Sequence, residues 1–379
     1  MKNTANFFTY LQLLALLFGG LVIIACAGKS DAGEELESKT INCGEKDAIK
    51  CAFQDRDGNM WFGTNSHGLY RFNGKTFTNF NKGNGFYSNR VSAIIEDKEG
   101  NIWFGTDNGL CNYDGAHVFN QIVIPQSDTS SSWLDSVYPI LNPNAISCLL
   151  QDSVGNMWLG TYGAGAYRYD CSTWTQFLHV EGRKQSDGLH HNWIESILED
   201  RNGNIWFTSM THGGISRFDG KSMTHMLIED GLSDDMVRSS LQDRAGNIWF
   251  GTNGNRNGGL DRYNPETGEF YHFNQNNGLC MSDEDDRCYN GIGSIYEDKT
   301  GKIWLTTGLG KLATYDPSVS IEMNKSSFGP FVSKDGRSVN GIFFVMEDAA
   351  GNLWFGGKKG KLYRYNGDTL KDFTQIGNS

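Results

Sequence analysis

The stretch Glu96-Asp97-Lys98-Glu99-Gly100-Asn101-Ile102-Trp103-Phe104-Gly105-Thr106 decides the fold, because the chain repeats it. Aligned on its Asp, the sequence gives Asp55, Asp97, Asp152, Asp200, Asp243, Asp298 and Asp348, each with Gly three residues later and Trp six residues later. Recurrence at a spacing of 42 to 55 residues marks an array whose units bury their apolar faces against one another.

Upstream, eight residues before each Asp, stands a short polar residue able to close a turn on its own backbone: Asp47, Asn89, Asn144, Asn192, Asp235, Asn290 or Asn340. Six before it comes an apolar residue (Ile49, Val91, Ile146, Ile194, Val237, Ile292, Ile342), and two before it another (Phe53, Ile95, Leu150, Leu198, Leu241, Tyr296, Met346). This period of two predicts a strand, and mostly apolar sites three before the Asp predict that it is packed on both faces. Downstream, Asp-x-x-Gly-Asn is hairpin chemistry, with Lys302 the one substitute at the Asn. A second strand carries the Trp. A third ends in an aromatic residue, preceded by Arg at Arg71, Arg168, Arg217, Arg262 and Arg364, and turns such as Asn73-Gly74-Lys75 lead into a fourth.

Four antiparallel strands in each of seven repeats predict an all-β, seven-bladed β-propeller over residues 47–379, with blades beginning near 47, 89, 144, 192, 235, 290 and 340. The 47 Gly, 13% aromatic content and only 6 Pro suit many short strands and tight turns. The end units match the pattern as well as the inner ones, so a closed ring is expected rather than a capped solenoid. Each blade is complete within its repeat, and residues 40–46 are placed to add an outer strand to the last.

The pattern Val/Ile-x-x-Ile-x-Glu-Asp-x-x-Gly-Asn-Ile-Trp-Phe-Gly-Thr-x-x-Gly-Leu-x-Arg-Tyr resembles the two-component regulator propeller repeat, found in the periplasmic sensor halves of hybrid two-component systems. The resemblance covers 47 to about 376 and implies extracytoplasmic sensing, often of glycan fragments. In such sensors a membrane helix and a kinase follow the propellers.

The N-terminal segment 1–25 reads as an export signal, with Lys2 before the apolar run Leu11 to Ile24. Its end, Ile23-Ile24-Ala25-Cys26, resembles a bacterial lipobox, which implies cleavage before Cys26 and acylation of that residue. The run is short for a bilayer span, which disfavours a transmembrane helix. Residues 26–46 would then be a flexible tether, and Ala27 after the Cys implies the outer membrane of the cell envelope, periplasmic or surface-exposed. Loss of Lys2 takes the formal charge from -11 to -12, and an acidic body makes nucleic acid a poor partner. With Cys26 acylated, seven of the eight Cys remain. Cys280 and Cys288 are the expected disulfide, Cys43 with Cys51 is a second possibility, and Cys51 and Cys148 also fit as small buried fillers.

The recurring Asp, Trp and Arg-aromatic pairs read as architecture, and function is sought where repeats differ. The long insertions Ile122 to Pro143 (with Trp133 and Tyr138) and Asn274 to Tyr289 (with the acidic run Asp283 to Asp286) precede first strands and fall on the face called the top. The acidic run reads as a solvated tip, without an EF-hand spacing for calcium, so no metal and no cofactor are expected. Other top-face candidates are His67, Asp107, Tyr162, His212, Arg256 with Asn253, and Lys358. Arg90 and Trp193 stand at the channel mouth, with His190 and His191 beside them. Aromatic rings bordered by Asn, Arg and Asp suit a glycan, or a peptide. The expected function is a lipid-anchored ligand-binding or sensor propeller that hands its signal or ligand to a separate membrane sensor or uptake protein. The alternatives are an interaction scaffold in a cell-envelope complex and a propeller lyase using His67, His190 and His212 with Glu195.

Overall fold

The computed structural model describes residues 38–115, 119–125, 142, 144–178, 192–253, 259–273, 291–307, 310–316 and 328–374. Trp133, His191, Arg256, Cys26, Cys280 and Cys288, the export signal and the acidic loop lie outside them. The described residues form seven four-stranded antiparallel sheets, each built from consecutive strands of one repeat. In the first, β1 (Ile49–Gln54), β2 (Met60–Thr64), β3 (Leu69–Phe72) and β4 (Phe77–Phe80) pair in that order. The first strands of the other blades are β5 (Val91–Glu96), β9 (Ile146–Gln151), β13 (Ile194–Glu199), β17 (Val237–Gln242), β21 (Ile292–Glu297) and β25 (Ile342–Glu347). Each packs against the first strand of the next blade, and β25 packs against β1, so the ring is closed with first strands innermost.

The Asp of the repeat organises each hairpin. One oxygen accepts the backbone N–H four residues on, at 2.7 Å from Asn59 to Asp55 and from Asn101 to Asp97. The other accepts the indole N–H of the Trp six residues on, at 2.7–2.9 Å in every blade. The Asn side chain adds a further bond in six blades. In the sixth, where Lys302 stands, the Thr300 hydroxyl binds Asp298 at 2.5 Å instead. The Trp, fixed at its polar end, fills the gap to the following blade: Trp61 lies 5.6 Å from Phe104, Trp158 5.6 Å from Phe207, and Trp354 5.4 Å from Phe62 across the closing junction. All five Arg before the third-strand aromatics lie over the Trp of their own blade at 5.6–5.7 Å, a cation–π contact that makes them part of the frame.

A second recurring contact crosses every junction. The residue before each Asp is Gln or Glu, and its side chain accepts the N–H of the residue after the Asp of the preceding blade: Arg56 to Glu96 (2.8 Å), Lys98 to Gln151 (2.9 Å), Ser153 to Glu199 (2.7 Å), Arg201 to Gln242 (2.9 Å), Arg244 to Glu297 (2.9 Å), Lys299 to Glu347 (2.7 Å) and Ala349 to Gln54 (2.5 Å). Where the donor residue is basic, its side chain also reaches the carbonyl of the next blade's Asp, as from Arg56 to Asp97 and from Arg244 to Asp298, both at 2.8 Å. Ser153 and Ala349 lack that arm. At the closing junction an N-terminal strap compensates: Ile41 donates to Phe373 at 2.9 Å and pairs in parallel with Thr374, Tyr70 donates to the Asn42 carbonyl at 2.7 Å, and Ser38 bridges Phe77. The strap thus spans the outer strands of the first and last blades through single bridges instead of adding a full strand to one of them.

One expectation about the first strand needs correction. In all seven blades the ladder between first and second strands slips by one residue after the opening apolar position, between Ile49 and Cys51 in β1 and at the matching point elsewhere. The extra residue is a β-bulge, and it breaks the period of two. Ile49 therefore packs with Ala52 on one face, while Cys51 and Phe53 pack on the other. Likewise Val91 shares a cluster with Ile94, and Ile95 lies in the next.

Cys43 and Cys51 are separate free thiols. Burial pushes the thiols of Cys51 and Cys148 up to about 12, and each faces the Gly of the facing second strand. A Cβ on Gly63 would lie 2.6 Å from the Cys51 Sγ, and one on Gly160 2.5 Å from the Cys148 Sγ, so both thiols act as small fillers against a glycine.

Candidate functional site at the channel mouth

The bulges decide what faces the axis. The residues before them are completely buried in every blade (Ile49, Val91, Ile146, Ile194, Val237, Ile292, Ile342). The bulged residues themselves are Lys50, Ser92, Ser147, Glu195, Arg238, Gly293 and Phe343, and solvent reaches all of them. Lys50 and Glu195, in blades 1 and 4, interact electrostatically with each other and with Arg90 and Arg238. Blades 1 and 4 are not neighbours in the ring, so these charges act on one another across the channel.

The geometry gathers aromatic and charged groups. The Trp193 indole donates to the Glu195 carboxylate at 2.6 Å. Tyr162 stands edge-on to Trp193 with ring centroids 5.3 Å apart, and the Arg90 guanidinium lies over Tyr162 at 5.5 Å. Arg238 donates through Nε and Nη2 to the Asn253 side-chain Oδ1 at 3.1 and 2.8 Å. Lys50 Nζ lies 4.3 Å from the centre of the Phe343 ring, and Lys358 Nζ 5.8 Å from it. Burial pushes the Glu195 carboxyl above the usual carboxylate range, although the Trp193 hydrogen bond and the three cations pull the other way. Burial also pushes the Lys50 ammonium down, with Arg90 and Arg238 adding to the effect and Glu195 opposing it. Tyr162 is raised chiefly by burial, then by the charge of Glu195.

Of the residues singled out in the sequence, Arg90, Tyr162 and Trp193 are brought together with Glu195, and Asn253 supports the group through Arg238. Lys358 approaches through Phe343, while its backbone N–H donates to Gly341 at 2.6 Å and it pairs with Ala48, joining the last blade to the first. Asp107 accepts from the hydroxyl of Ser88, which also accepts from the Arg90 backbone N–H at 2.8 Å, and through its own carbonyl from Asn142 at 2.8 Å. Of the histidines of the lyase reading, His190 lies outside the described residues, while His67 Nδ1 sits 2.6 Å from Asp47 and His212 Nδ1 sits 2.9 Å from Asp235. The two half-exposed histidines belong to blades 1 and 4. His212 and Lys359 adopt left-handed backbone conformations with φ of 60° and 61°, an uncommon choice for non-glycine residues that is met at functional loops.

Lys50, Arg238, Ser92 and Phe343 were not picked out from the sequence. Their signal was a column, the residue after the opening apolar position, that holds Lys, Ser, Ser, Glu, Arg, Gly and Phe beside near-uniform neighbours. Among the described residues no group of three His, Cys, Asp or Glu is arranged to hold a metal ion. Two grooves of about 460 and 230 Å³ are formed by residues of blades 4 and 5, such as Arg262 and His272 in one and Arg201 and Asn264 in the other.

Residues 45–66, 88–108, 140–163, 188–211 and 231–254 match the family described as two component regulator propeller. No match is found among curated proteins. Among solved structures, the extracellular domain of a chain described as the hybrid two component system BT3049 of B. thetaiotaomicron is 21% identical, with a TM-score of 0.51, over 86% of this chain and 51% of that one. The present chain thus spans about half that domain's length. Virginiamycin B lyase from Staphylococcus aureus is 13% identical, with a TM-score of 0.60, over 86% of this chain and 97% of the lyase. PorZ, a surface component of the type-IX secretion system of Porphyromonas gingivalis, is 16% identical with a TM-score of 0.53, over 81% and 45%. At these identities the structural likeness establishes the propeller alone. Five of the seven Asp-x-x-Gly…Trp units, each heading a four-stranded sheet, are thus two component regulator propeller repeats.

Proposed function

We propose that the chain is an extracytoplasmic ligand-binding or sensor propeller, anchored by a lipid on Cys26 to the outer membrane, that recognises a glycan or peptide at the channel mouth. The signal or ligand would pass to a separate membrane partner. One observation carries the reading: a frame repeated seven times gives way at the mouth to unlike residues, Arg90, Tyr162, Trp193, Glu195 and Arg238, that join across blades. A cluster with no role in the repeating frame is the default place for recognition. The family and the likeness to a sensor's extracellular domain support it. The reading is non-enzymatic, with His67 and His212 each paired to an aspartate.

Glycan-array screening followed by calorimetry tests it. A hit bound by the native chain and lost in both Trp193→Ala and Arg90→Ala supports the mouth as the site. A hit bound equally by both variants moves the site elsewhere. Membrane pull-down that captures a partner while no glycan or peptide binds would favour the scaffold reading.

A further inference from the structure

The charge at the mouth runs against the charge of the chain. Formal net charge is -11, yet at the mouth the Glu195 carboxylate lies in the field of three cations, Lys50, Arg90 and Arg238. Among the described residues none of the three cations forms an ion pair there. The Arg90 Nε is buried with no hydrogen-bond partner among the described residues, as are the Nε atoms of the frame residues Arg168 and Arg217, and the Arg90 guanidinium lies over the Tyr162 ring. The Lys50 ammonium rests on the Phe343 ring, and Arg238 uses Nε and Nη2 on one neutral oxygen of Asn253.

We propose that the mouth takes a carboxylate-bearing sugar, an acidic oligosaccharide of the uronic acid class. This rests on the mouth being the ligand site. The carboxylate would lie between Lys50, Arg90 and Arg238, with arginine offering the paired N–H groups that match a planar carboxylate. The sugar ring would lie against Trp193, whose indole is fixed by Glu195, and against Tyr162. Aromatic surface and cations adjoin within one cluster, which fits a ligand carrying an apolar ring face and a carboxylate on the same residue. Glu195 sets orientation, since it repels a carboxylate placed on its own side of the channel.

Calorimetric titration of the full chain with oligogalacturonate, oligoglucuronate, their carboxyl-reduced neutral counterparts and hexaglutamate tests the proposal. At least one uronate should bind about ten-fold or more tightly than its neutral counterpart. That preference should fall to near unity in Lys50→Met and Arg238→Met, whereas Trp193→Ala should weaken acidic and neutral sugars alike. Thermal melts near that of the native chain would show that the variants fold. If a neutral sugar binds as tightly as its uronate and is lost in Trp193→Ala, the mouth stands as the site and the acidic class is overturned. Binding of hexaglutamate alone, or of no uronate, also overturns it.

Discussion

Asp243 shows what one residue of the repeat contributes. It accepts from the Trp249 indole at 2.7 Å, the Asn247 backbone at 2.8 Å and the Asn247 amide, all at a buried hairpin. Asp243→Ala strands those donors, and each buried donor left unmatched costs about 1–3 kcal/mol. Urea denaturation should show a loss in that range or above it. At Asp298, burial opposes the charge, yet hydrogen bonds from Thr300, Trp304 and Lys302 outweigh it and hold the carboxyl below its ordinary value. A carboxyl depressed in the folded state adds stability that is present above the unfolded value, near ~4, and is lost as pH falls through the lower folded value. Native Asp298 should therefore lose its advantage over Asp298→Asn only below about pH 4, as read from urea midpoints across pH. Glu195 has the opposite sign. Its raised pKa means that the folded state holds the proton more tightly, so stability falls as pH rises from the unfolded carboxyl value through the folded one. Glu195→Gln, which keeps an acceptor for Trp193, should flatten that part of the pH profile.

Within a blade, what the sequence shows is what side chains repeat. The Asp-x-x-Gly-Asn hairpin and the Trp strand were legible because each needs one residue type: a carboxylate for two donors, a glycine at positive φ such as Gly100 (94°), and an indole to bridge sheets. The bulge was not legible, because a bulge asks for an extra residue and not for a kind of residue. Lys50, Glu195 and Phe343 have nothing in common except their place, and an even count from Ile49 to Phe53 imitates the period of an unbroken strand. The mouth was thus half visible: Arg90, Tyr162, Trp193 and Glu195 were singled out, whereas Lys50, Arg238 and Phe343 were hidden within strands. The facing glycines offer a test of packing. In Gly160→Ala a methyl would meet the Cys148 Sγ at 2.5 Å and the Ile194 Cγ2 at 2.8 Å, so the change should cost about 1–3 kcal/mol, and Cys148→Ala should restore part of it.

Across the whole ring, closure depends on junctions that are alike without being equal. The Gln or Glu acceptor spans all seven, but the basic arm is absent at Ser153 and Ala349. Ala349→Lys should add the missing reach toward the Asp55 carbonyl and raise stability by roughly 0.5–1 kcal/mol. Phe373 lies at the closing junction against Phe72, Phe77 and Trp354, and truncating it to Ala should cost about 3–5 kcal/mol. Ring closure was legible in the equal quality of the first and last repeats; the strap was not, because residues 38–43 carry no repeat pattern and act through single bridges. The central claim is a division of labour, in which sevenfold groups hold the ring and the unlike groups at the mouth serve recognition. Urea midpoints of Trp249→Phe, from the frame, and Arg90→Met, from the mouth, test it directly. The account predicts a clear fall for Trp249→Phe, which loses its bond to Asp243 and its packing on Tyr315, and a midpoint for Arg90→Met at or above that of the native chain. A fall for Arg90→Met as large as that for Trp249→Phe would contradict it, by making the mouth part of the frame.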